Sequence, residues 1–212
     1  MKVVEIISRA GRLLNDELDV HWTRLELQQW LNDSYTAITA IIPGASSMRA
    51  TMTLTAGAAQ APGIPGLISV IGVLRTTAAT STKKAISSIN RAVLDSLVPG
   101  WEAMPQSVDI KHWVPDTVSP DRFSVYPPAT SAASVEIVYS FVPIAHALSE
   151  ADLGNQATAE LTRINDVFVP AIVDYILYRA HSKSATAADA QKAAGYYTTF
   201  RAGLGNSGAA PA

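Results

Sequence analysis

The sequence predicts an α+β fold in which helices from both ends of the chain form a four-helix bundle with a central antiparallel β insertion. Two observations carry this. Apolar residues recur at spacings of three and four in the first 44 residues and again after residue 166, whereas from residue 48 to 142 the period falls to two. Pro-Gly pairs and Thr-rich runs punctuate the middle, as turns and half-covered strands require.

Val3, Ile6, Ile7, Ala10, Leu13 and Leu14 form one helical face that Asn15-Asp16 would end. Thr23-Arg24-Leu25-Glu26 has the spacing of a capping box, in which hydroxyl and carboxylate each take an orphan amide. Leu27, Trp30, Leu31, Ser34, Ile38 and Ile41 then share a stripe up to Pro43-Gly44. Met48 to Thr55 alternates as a strand, Ala56-Gly57 and residues 62–66 read as turns, and Leu67 to Leu74 reads as a buried strand. Residues 83–97 suit a short helix. Strands are expected at Val108 to Val114, Phe123 to Tyr126 and Val135 to Val142, in one small sheet. Asp166 to Ala180 is helical, with Pro170 tolerable only in its first turn. Thr186 and Asp189 cap a last helix that runs to Phe200. The expected organisation is therefore a helical bundle of residues 1–44 and 150–202, a strand-rich insertion of 45–149, and a disordered tail of 203–212.

Composition narrows the function. Of 212 residues, 48% are hydrophobic and only 16% charged, so a partner protein covering this surface would desolvate few charges. The formal net charge is −2 with no basic run, which argues against a dedicated nucleic-acid binder. The absence of cysteine removes disulfides, thiolate metal sites and cysteine nucleophiles. No apolar stretch reaches the roughly 18 residues of a membrane span, and no signal peptide is recognisable, so a cytosolic product that stays where it is made until it is assembled is expected.

Chemistry-bearing patterns are sparse. His21, His112, His146 and His181 lack the helical spacing of zinc ligands, and no Gly-x-Ser-x-Gly or phosphate-binding glycine series is present. His112, Asp116 and Asp121 are the one set from which a hydrolytic site could be assembled, although Asp116 and Asp121 also suit turns. No catalytic residue, metal or cofactor is assigned. Trp22 and Trp30 fit the packing of the second helix. Trp101, Trp113, Phe123 and Tyr126 in the middle, and Tyr175, Tyr178 and Arg179 near the end, are candidate interface residues, since large aromatics and arginine anchor protein interfaces, while packing of the sheet against the bundle accounts for Trp101 and Trp113 equally well. Asp174 and Tyr178 lie one turn apart, within reach of a hydrogen bond.

In combination, the segments AISSINRAVLDSLVPGW (85–101), VDIKHWVPDTVSPDRFSVYPP (108–128), VEIVYSFVP (135–143) and DVFVPAIVDYILYRAHSKSATAADAQKAAGYYTTF (166–200) resemble the head-to-tail adaptor, or connector, proteins of short-tailed bacteriophages. The likeness extends to TRLELQQWLNDSYTAITAIIPGA (23–45) and covers roughly residues 20–201. It implies a virion structural protein at the head–tail junction, similar in architecture to the tail tubular protein. It further implies self-association into a ring of about twelve copies, bound to the portal ring above and a tail nozzle or hub below, around the DNA channel. The family has no catalytic residues to carry over and no membrane partner. Other readings are a head-completion or tail-terminator protein at another layer, and a non-viral protein-binding module.

Overall fold

A computed structural model describes residues 1–183 and 186–207. The chain divides into two compact units, Met1–Ser46 with Pro143–Ala212, and Ser47–Val142. The fold is α+β, with helices packing at the two ends of the chain and antiparallel strand pairs between them.

In the first unit, α1 (Val3–Leu13) buries Val3, Val4, Ile6, Ile7 and Ala10. Asn15 ends it in the left-handed region at φ 55°. There the Asn15 and Asp16 amides donate to Arg12 O and Gly11 O at 3.1 and 2.9 Å, so the last orphan carbonyls are satisfied. At the start of α2 (Arg24–Ile41), Thr23 Oγ1 accepts the Glu26 amide at 3.3 Å. The expected reciprocal bond is replaced: Glu26 accepts Lys183 Nζ at 2.6 Å, a charged donor that outcompetes a backbone amide. A short helix, α4 (Glu150–Gly154), has no strong periodic signal and is started by a capping box of Ser149 and Asp152. The expected helix from Asp166 opens as a 3-10 turn, Asp166–Phe168, before α5 (Val169–Lys183), and Pro170 falls in the first turn of α5.

The last helix, α6 (Ala187–Ser207), is capped as expected, with the Asp189 amide donating to Thr186 Oγ1 at 3.1 Å. It continues past Phe200, because Leu204 is buried in the same seam as Ala193 and Phe200. Of the tail expected from 203, residues 203–207 are thus helical and 208–212 lie outside the described residues. The helices are not equivalent staves. α5 lies against α1, α2 and α6 and buries eight of its side chains, whereas α6 packs along α5 and the 3-10 turn before it.

The second unit has two sheets rather than one. β1 (Ser47–Thr53) and β3 (Leu67–Thr76) flank β7 (Ser134–Phe141), both antiparallel to it. The other sheet is ordered β2 (Gly57–Gln60), β6 (Phe123–Ala129), β5 (His112–Pro115) and β4 (Ser87–Ser88), the last pair being parallel. Residues 57–60, read as following a turn, pair with β6, because buried Gln60 folds back to bond Thr55 N, Thr55 O and Gly57 O at 2.8–3.0 Å. At residues 108–111 no strand forms: Ser107 Oγ takes the Asp109 amide and starts a turn. Gly66, at φ +72°, lets β3 approach the end of β7, where an added Cβ would lie 3.3 Å from Val142 O.

The two sheets share a core of Val70, Val73, Trp113, Phe123, Val125, Val135 and Ile137. Strand alternation sends Val114 to the opposite face, where α3 (Arg91–Leu97), capped by Asn90, buries Leu94 and Trp101 against it.

Candidate functional site

The candidate aromatic residues divide by burial. Trp101 is 1% exposed, and its indole N–H donates to Asp95 Oδ1 at 2.7 Å. Trp113 and Phe123 meet edge to face at 6.3 Å inside the sheet core. Tyr175 is buried against Phe200, ring centroids 5.2 Å apart. These four side chains are spent on the chain's own interior. Tyr126, Tyr178 and Arg179 are half-buried. Tyr126 stacks on His112, Tyr178 meets Tyr197 at 5.0 Å, and Arg179 reaches Tyr175 Oη and Asp33, both at 3.4 Å. Asp174 makes its electrostatic contact with Arg9 rather than Tyr178, and burial raises its carboxyl above the usual range.

His112, Asp116 and Asp121 do not converge. His112 Nδ1 bonds Ser87 Oγ at 2.7 Å, four residues of extended chain, roughly 13 Å, from Asp116. Asp116 accepts the Val118 and Ser119 amides at 2.9 and 3.0 Å, and these bonds hold its carboxyl below the usual carboxylate range. Asp121 lies 3.9 Å from the guanidinium of its neighbour Arg122. Among the described residues, no three His, Asp or Glu side chains are grouped to hold a metal ion, and no helix is long and apolar enough to cross a membrane.

What the surface does offer is aliphatic side chains held out on loops whose amides are bonded to a carboxylate. Between α1 and α2, Asp16 is buried and accepts three backbone amides, from Val20, His21 and Trp22, at 2.8–2.9 Å. Burial pushes the Asp16 carboxyl up, but the three amides together outweigh it and the net shift is downward. The loop so pinned exposes Leu18 and Val20 at 86% and 73%. Asp116 does the same on a smaller scale, fixing the turn that exposes Val118 at 89%. Backbone held in this way has little further entropy to lose when a partner covers it, which suits this surface to protein contact. Aliphatic display was not legible from periodicity, although the spacing Asp16-x-Leu18-x-Val20 and Asp116-x-Val118 is its trace in the sequence.

The model of the SU10 adaptor protein family matches residues 1–211. The chain belongs to the SU10 adaptor family. It is thereby a head–tail adaptor of a short-tailed phage, with a structural, non-catalytic role among the proteins of the head–tail complex and a place in the virion. None of the curated proteins matches it.

Proposed function

We propose that this adaptor forms a ring of about twelve copies between the portal and the tail nozzle or hub, surrounding the channel through which DNA leaves. The observation that carries this reading is the family match over residues 1–211. Its physical support is the pinned display of Leu18, Val20 and Val118, which favours assembly contacts that cost little ordering entropy. The unit holding α1, α2, α5 and α6 builds the ring body as its bundle, in the manner of the tail tubular protein. The unit of strands meets the next tail component, with Tyr126 the most accessible of its candidate aromatics. Tyr178 and Arg179 contribute from the helical unit.

Native mass spectrometry of the protein alone and mixed with its cognate portal ring tests this directly. The expected result is a discrete complex near one copy per portal subunit. No complex at any salt concentration would move the protein to another layer, as a head-completion or tail-terminator component.

A further inference from the structure

His146 is the one histidine sealed in the interior, 3% exposed, and every polar atom it owns is engaged. Its segment, residues 143–149, leads from the strand unit into the helical unit and runs along α2. Gln28, Asn32 and Tyr35 lie on one face of α2 at spacings of four and three. Two of them grip alternate backbone residues with both ends of a side-chain amide. Asn32 accepts the His146 amide at 2.8 Å and donates to His146 O at 3.0 Å. Gln28 does the same to Leu148 N and O at 3.0 and 3.3 Å. The strap is thus paired to a helix as a strand is paired to a neighbouring strand.

The third grip is ionisable. His146 Nδ1 lies 2.7 Å from Glu160 Oε1, Nε2 lies 2.9 Å from Tyr35 Oη, and Tyr35 Oη accepts the Arg163 amide at 3.2 Å. Glu160 also accepts Arg163 Nη2 at 3.0 Å. Bonds from His146 and Arg163 hold the Glu160 carboxyl below the usual range, so it is an acceptor, and burial pushes the Tyr35 hydroxyl up to about 12, so it keeps its proton. The directions follow: Arg163 N–H to Tyr35, Tyr35 O–H to Nε2, Nδ1–H to Glu160. Each bond holds one proton only while the imidazole is neutral. A second ring proton would meet the Tyr35 hydrogen on the same 2.9 Å line, and a fully buried hydroxyl would lose its acceptor.

We propose that His146 is a pH-operated latch that fastens the tether of residues 143–149 to α2 and lets it open when the imidazole is protonated. The charged and titratable groups facing the ring are Tyr35 on α2, and Glu160 and Arg163 on the segment before α5. Burial lowers the tendency of His146 to take a proton, and Arg163 adds to this, against the opposing pull of Glu160. A histidine held below its ordinary value stabilises the clasped form fully above pH about 6.5, and that stability is lost as pH falls toward the clasped-state value. Opening frees seven residues of the helical unit, about 23 Å of extended chain. The latch is independent of the ring reading and holds for whatever partner is bound.

Hydrogen exchange on the full chain, corrected for intrinsic rates, tests it. Between pH 7.5 and 5.5 the His146 and Leu148 amides should lose protection up to about tenfold, while the α5 amides of Ile172 and Ile176 change little. His146→Gln should abolish that pH dependence. On the unsubstituted protein, ring nitrogen shifts should show neutral His146 protonated at Nδ1 at pH 7.5. Strap protection flat with pH, strap and α5 amides released together, or a doubly protonated ring at pH 7.5 would each overturn the latch.

Discussion

Single carboxylates and rings decide more of this molecule than its composition suggests. Asp16 holds three amides that no helix or sheet can satisfy, so Asp16→Ala should speed exchange at Val20, His21 and Trp22 and lower the thermal midpoint. That contribution should also fade in acid: with the folded-state value lowered, it is present above the ordinary carboxylate range and lost as pH falls through the folded value. Trp113 and Phe123 look in sequence like interface anchors, yet each is buried in the sheet core. Either one changed to alanine should cost about 3–5 kcal/mol in urea unfolding, through lost burial and a residual cavity. Leu18→Ser with Val20→Ser is the opposite case. Both side chains are already in water, so stability should shift by no more than about 0.5 kcal/mol while assembly measured by native mass spectrometry weakens.

Among the long helices, α6 buries the fewest of its described side chains. It buries Ala193, Phe200 and Leu204, and much of the rest of its surface is Ala, Gly and Thr. Leu204→Ala should therefore cost about 2–4 kcal/mol and be read first as faster exchange across α6, ahead of α5. α2 and α5 were legible from their stripes because one-sided burial writes a period into the sequence. β2 and β4 were not, since a four-residue and a two-residue strand are too short to show a period, and the Gln60 side chain that shapes the first acts through bonds, not hydropathy.

At the scale of the whole molecule, 16 basic against 18 acidic residues leave a net charge of −2 and no basic tract to release counterions from a phosphate backbone. Binding to duplex DNA in 0.15 M salt, followed by fluorescence anisotropy, should be undetectable at micromolar protein; a tight, salt-sensitive complex would contradict a channel that lets DNA slide. The chain divides into Met1–Ser46 with Pro143–Ala212 and Ser47–Val142, and the His146 strap with all of its partners belongs to the first of these units.

The sequence by itself determined the α+β class, the caps at Thr23 and Thr186, the strand-rich middle and the absence of cysteine chemistry. It also carried the adaptor family, through ordered segments of which residues 108–128 and 166–200 are the most specific. These are local or cumulative properties, written in period, spacing and composition. Only the tertiary structure decided that Trp101, Trp113, Phe123 and Tyr175 point inward, that the strands split into two sheets, and that Asp16 and Asp116 turn aliphatic side chains outward. The His146 relay belongs there too. Its partners lie 14 and 111 residues away in sequence, and a pairing across such distances leaves no periodic trace for a reader of the chain to find.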